Sequence, residues 1–178
     1  GVVIAVLDSG VDNEHFSLDD FSDNNNDNEN DPDDLQDPKW LAGCDATSWN
    51  SQECNDGEFD PDDGNGHGTH VAGIALGTGD SSRVHQGYAP GAYLVDVKVM
   101  TDSGGSQGGD EGPIIKGLQW VLQNVDTDWG NNDSSEGIDI ITMSFGSGSS
   151  PVGGNDQGDD GNNSAARLVN NCAEAGIV

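Results

Sequence analysis

Six consecutive apolar residues, Val2 to Leu7, run straight into Asp8-Ser9-Gly10. An unbroken run rich in branched side chains fits a strand buried on both faces, and such strands belong to parallel sheets. Two further strand-like runs follow, Tyr93 to Met100 and Ile138 to Met143, and another begins at Ile177. Between them lie segments with helical spacing. Gly68 to Leu76 carries Val71, Ile74 and Ala75. Pro113 to Gln123 carries Ile114, Leu118, Val121 and Leu122, with Pro113 suited to a first turn. Ala165 to Ala175 carries Ala165, Leu168, Val169 and Cys172, and Gly176 stops it. Strands alternating with helices predict an α/β class: a mainly parallel sheet flanked by helices. Active sites in such sheets lie beyond the carboxyl ends of the strands. Asp8, the Thr101 to Gly105 segment and the Ser144 to Gly146 segment all fall at such ends.

The stretch Gly64-Asn65-Gly66-His67-Gly68-Thr69-His70-Val71-Ala72-Gly73 supplies a partner for Asp8. It places His67 at a helix start behind a glycine-rich loop that leaves room for a substrate chain. A carboxylate at a strand end can hydrogen-bond an imidazole, fix its tautomer and stabilise its charged form. His70, three residues on, is expected to be a buried, hydrogen-bonded structural histidine. A zinc reading of the two histidines fails, because the metalloprotease pattern needs ligands four apart with a Glu base. Ser144 lies in Thr142-Met143-Ser144-Phe145-Gly146, half of a nucleophile elbow. Thr142 stands where the elbow needs Gly, and acid and His both precede Ser144, the reverse of the α/β-hydrolase order.

The order acid, then histidine, is that of one kind of triad enzyme. Asp8-Ser9-Gly10-Val11-Asp12 and His67-Gly68-Thr69-His70-Val71-Ala72-Gly73 resemble the Asp and His signatures of the subtilisin-like serine proteases, the subtilases. Ala89-Pro90-Gly91-Ala92 with Val97-Lys98-Val99-Met100, and Ile141 to Gly146, resemble that family too. The resemblance implies that Asp8 is the triad aspartate and His67 the general base. It implies that Ser144, Phe145 and Gly146 pair with substrate backbone and wall the pocket for the residue before the cut. Ser103, Gly104 and Gly105 resemble the opposite wall. Where the family commonly has His-Pro, this chain has His15-Phe16, which affects a turn and not the chemistry. The family's oxyanion Asn and nucleophilic Ser would both follow Ile177. The chain, with no starting Met and an apolar run at its end, therefore reads as a piece cut at both ends, residues 1–178 of a partial catalytic domain. Such a piece is expected to be inactive alone, because oxyanion donors and nucleophile supply most of the rate.

Charge sets the chain's partners. Its 33 acids against 5 bases leave a net charge of -28. That surface repels nucleic acid and anionic membranes. No apolar run approaches the ~20 residues of a membrane helix. The resemblance implies protein or peptide substrates, an extracellular location and no organic cofactor, and a monomer is expected. The acids concentrate in insertions at about 19–63 and 126–137, with a further polar stretch from Gly146 to Asn163. Two readings of the charge stand, and they are compatible: a solvated coat adapted to salt, and calcium binding. Asp23, Asn25, Asp27, Glu29, Asp31 and Asp34 nearly follow EF-hand ligand spacing, though Asn28 replaces the usual Gly. Subtilase acidic loops often bind calcium, so the resemblance favours Asp23, Asn25, Asp27 and Asp31 as ligands; Asp60, Asp62 and Asp63 form a weaker set. Cys44 and Cys54 are either a local disulfide in an oxidising compartment or two free thiols. Cys172, on a helix's apolar side, is expected to be a small core residue. A catalytically inactive subtilase fold acting as a calcium-binding interaction module is the alternative function.

Overall fold

The computed structural model describes residues 1–18, 21, 39–48, 51–54, 59–79, 84–103, 111–130, 137–146 and 163–178. It contains four strands: β1 Val3–Asp8, β2 Trp40–Asp45, β3 Tyr93–Lys98 and β4 Ile140–Met143. Three α-helices follow the same alternation: α1 His67–Leu76, α2 Gly112–Gln123 and α3 Ser164–Glu174, with a short 3-10 helix at Ser51–Cys54. The strands form one sheet in the order β2-β3-β1-β4, all pairs parallel. The α/β class expected from the alternation is the class observed.

Period-two alternation along β1 builds two cores from one strand. Val3, Ala5 and Leu7 pack towards α2 and α3, with Leu118, Val121 and Cys172. Ile4 and Val6 pack to the other side, with Ala72 and Leu76 of α1. Both faces are covered, so every residue of β1 is buried. This is why its sequence is apolar without interruption. Cys172 is a free, fully buried core thiol.

Strand β2 is the element the sequence hid, and it lies inside the stretch read as an acidic insertion. Trp40-Leu41-Ala42-Gly43-Cys44 has few branched residues and a central glycine, both weak strand signals. Tertiary contacts explain the glycine. A Cβ on Gly43 would overlap the Phe59 carbonyl and come 2.6 Å from Pro61 Cδ, so the 59–61 segment crosses the strand there. Cys44 is joined to Cys54 by a disulfide, fastening the 3-10 helix to β2. At the other end of the strand Lys39 is fully buried. Its ammonium donates to the Pro90 and Ala92 carbonyls at 3.0 and 2.6 Å and lies over the Phe21 ring. Burial lowers its pKa from 10.5 to about 7.

Helix α1 is rotated relative to the expected apolar face. Gly68, Ala72 and Leu76 turn inward, whereas Ile74 is 52% exposed. The smallest side chains face the sheet because the helix start presses directly on the turn after β1. Helix α3 has Asn163 as its N-cap, the side chain accepting from Ala166 N at 2.7 Å. Gly176 leaves the helix at φ +96°, in the region glycine favours. Beyond it Val178 donates to Asp139 O and accepts from Ile141 N, at 3.0 and 2.9 Å, the bonding pattern of a further parallel strand beside β4. In the 126–137 stretch, Trp129 packs on Trp120 and its indole donates to Gly137 O; residues 131–136 lie outside the described set. Among the described residues no helix is long and apolar enough to cross a membrane.

Candidate active site

Asp8 is the last residue of the central strand, and parallel pairing on both sides fixes its position. Its carbonyl accepts from Val99 N and Met100 N, at 2.8 and 3.0 Å, where the chain continues past β3. The side chain is completely buried. Oδ1 accepts from Ser9 N at 2.8 Å and lies 2.6 Å from His67 Nδ1. Oδ2 is buried with no hydrogen-bond partner among the described residues. An ionised carboxylate can only accept, so this contact puts the imidazole proton on Nδ1 and leaves Nε2 with its lone pair. The His67 side chain is 46% exposed.

Helix α1 delivers His67 as its first residue, and its start is held by unusual means. Gly66 occupies the N-cap at φ +90° with no side-chain cap. The cap's work falls to Asp63, upstream of the helix. Its Oδ1 accepts from Asn65 N at 3.1 Å, Gly66 N at 2.9 Å and Ser9 Oγ at 2.9 Å. Its Oδ2 accepts from Thr69 N at 2.9 Å and Thr69 Oγ1 at 2.6 Å. Burial pushes the Asp63 pKa up, but the bonds from Thr69, Gly66 and Ser9 outweigh it and hold the carboxyl below its usual value. Ser9 Oγ accepts from Gly68 N at 3.0 Å, and Thr69 Oγ1 accepts from Asp12 N at 2.9 Å. The sequence reading missed these roles of Ser9, Thr69 and Asp63. The available signal was an acid three residues before a glycine N-cap, with no other cap in reach.

Two segments flank Asp8 on the neighbouring strands. Thr101 to Ser103 follows β3 on one side, and Ser144 to Gly146 follows β4 on the other. Lys98, nearly buried, ties the first segment down by donating to Asp62 O and to the Asp102 carboxylate. Asn65 Nδ2 also donates to Asp102 O at 2.8 Å. On the other side Ser144 and Gly146 are exposed, while Phe145 packs against the α2/α3 core. Gly104 and Gly105 lie outside the described residues, as do Asp23, Asn25, Asp27, Glu29, Asp31 and Asp34. Asp60 has a raised pKa, from burial and from the nearby charges of Asp62 and Asp12. Among the described residues no group of three or more acidic, Cys or His side chains could hold a metal ion.

His70 departs from expectation. It is exposed rather than buried, and lines a cavity of about 790 Å³ with His15, Ile74 and Tyr88. The rotation that turns Gly68 and Ala72 to the sheet carries position 70 to the outer face of α1.

A family model described as the subtilase family matches residues 1–178. Bacillopeptidase F of Bacillus subtilis (strain 168) is 31% identical over 150 residues, 84% of this chain and 9% of that protein. Subtilisin DY of Bacillus licheniformis is 33% identical over 122 residues, 68% of this chain and 35% of that protein. Serine protease AprX of Bacillus subtilis (strain 168) is 40% identical over 88 residues, 49% of this chain and 18% of that protein. The chain thus spans about a third or less of the length of these relatives. Among solved structures, the CspB protease of Clostridium perfringens matches with a TM-score of 0.51 at 21% identity, covering 83% of this chain and 30% of that one. That likeness bears on the fold.

Proposed function

The chain belongs to the subtilase family, and from that membership we propose that the intact protein is a secreted serine endopeptidase. Its triad would join Asp8 and His67 to a serine that follows Val178 in the chain. The observation that carries this reading is the 2.6 Å contact between His67 Nδ1 and the buried Asp8 carboxylate. His67 Nε2 takes the proton of the serine hydroxyl as it attacks the peptide carbonyl. Asp8 holds the ring in the required tautomer and stabilises the imidazolium that forms. The imidazolium then gives its proton to the leaving amine, and water, activated by the same nitrogen, releases the acyl group. Peptide substrate lies extended between Ser103-Gly104-Gly105 and Ser144-Phe145-Gly146, hydrogen-bonded as an added strand. Residues 1–178 lack the nucleophile and are inactive by themselves.

Labelling with a fluorophosphonate, which captures activated serines, tests this directly. The intact protein should be labelled stoichiometrically on one serine and should cleave casein. A folded intact protein that takes no label and cleaves nothing supports the inactive, calcium-binding module instead.

The Cys44–Cys54 disulfide supports the extracellular placement, because cytosolic reductants keep such pairs open. The net charge of -28 supports adaptation to salt: at molar salt the Debye length is about 3 Å, and self-repulsion is relieved. Calcium at Asp23, Asn25, Asp27 and Asp31 is the second half of the proposal. The melting temperature should climb with KCl into the molar range and rise further with millimolar CaCl2. Stabilisation supplied entirely by calcium would remove the salt adaptation, and stabilisation by KCl alone would remove the calcium site.

A further inference from the structure

We propose that Asp63 is a positioning residue for the His67–Asp8 pair: its carboxylate sets the distance between the strand that carries the acid and the helix that carries the base. The inference deepens the proteolytic reading and rests on it for its kinetic readout.

The first N–H groups of a helix have no partner within the helix, and its positive end favours an anion. Helix α1 has no acid in its first turn and a glycine cap with no side chain. Asp63 supplies the missing anion, accepting from Gly66 N and Thr69 N, which bracket His67 and Gly68. A cap alone would end there. Asp63 also accepts from Ser9 Oγ, which belongs to the turn leaving β1. Ser9 then does two further things. Its N–H donates to Asp8 Oδ1, and its Oγ accepts from Gly68 N. One carboxylate therefore holds both sides of the contact: Ser9, next to Asp8, and the Gly66 and Thr69 N–H groups that bracket His67 and Gly68. Its lowered pKa, won against burial by those same bonds, keeps the acceptor ionised. Misplacement of a reacting group by about 1 Å can cost ~100-fold in rate, so this linkage has catalytic weight.

The test compares Asp63→Ala and Asp63→Asn in the intact protein with wild type. It reads kcat and KM on a chromogenic peptide, and the low-field proton resonance of the His67 Nδ1–H in NMR spectra. Asp63→Ala should lower kcat about 100-fold with KM within about threefold, and Asp63→Asn should fall between it and wild type. In Asp63→Ala the low-field resonance should move or vanish. A purely structural role would lower the melting temperature and leave that resonance and kcat in place. A folded Asp63→Ala protein with kcat within about twofold of wild type and an unmoved resonance overturns the proposal. Should Asp63→Ala fail to fold, Ser9→Ala decides: a kcat loss of about tenfold is expected, and unchanged kcat overturns the linkage. A wild-type protein that cleaves nothing overturns the proteolytic reading instead, and the resonance alone then judges Asp63.

Discussion

The intact protein carrying His67→Ala should hydrolyse casein about 10⁶-fold more slowly than wild type, a loss near 8 kcal/mol of transition-state stabilisation. The magnitude is that of removing the general base of a serine-protease triad; the direction follows from the proposed role of His67. The carboxylate of Asp8 faces Nδ1, so Nε2 is the nitrogen left to act as base. His15, His70 and His85 cannot stand in, because the contact with the central strand's carboxylate is made by His67. Binding should suffer little, since the ring acts on the serine proton rather than on the peptide's extended backbone. The expected signature is therefore a collapse of kcat with KM close to wild type. Undiminished cleavage would remove His67 from the mechanism.

Gly68→Ala should be severely damaging for so small a change. A Cβ at this position would overlap the Gly10 carbonyl oxygen and stand 3.1 Å from Asp8 Cβ. Both obstacles are rigid: one is backbone at a turn where Gly10 itself has φ +101°, the other is the Cβ of the fully buried Asp8. The helix must retreat from the strand, and overpacking of this kind costs about 3 kcal/mol. For a domain of this size that corresponds to a melting temperature lower by roughly 10 °C. The retreat also lengthens the Asp8–His67 contact, so kcat should fall about 100-fold in whatever protein remains folded. Differential scanning calorimetry and casein assays on the same preparation check both parts. Gly73→Ala, at a helix position where an added Cβ meets nothing within 4 Å, should leave kcat unchanged and raise the melting temperature slightly.

These two expectations differ in how legible they were. Asp8 and His67 stood out in the sequence because an acid ending an apolar strand and a histidine among glycines are conspicuous local patterns. The three strands delivering residues to one sheet edge were equally plain, since β1, β3 and β4 are rich in branched residues. Strand β2 was not, because its glycine and cysteine are explained only by distant neighbours, Phe59, Pro61 and Cys54. Local propensity carries no trace of such contacts. The inner face of α1 was misjudged for a related reason. Hydrophobicity favoured Val71 and Ile74, but close approach to the turn after β1 demanded Gly68 and Ala72 instead. Asp63 escaped because it lies among acids that look alike in sequence, and only its five hydrogen bonds separate it from Asp60 and Asp62.

The central claim is that Asp8 works only through His67. Casein hydrolysis by the intact protein, with Asp8→Asn, His67→Ala and both together, tests it most directly. Asp8→Asn should lose about 10⁴-fold in kcat and His67→Ala about 10⁶-fold. The double variant should be no slower than His67→Ala alone, since a group that acts through the histidine has nothing left to act on. Losses that multiply in the double variant would show two independent contributions and contradict the account.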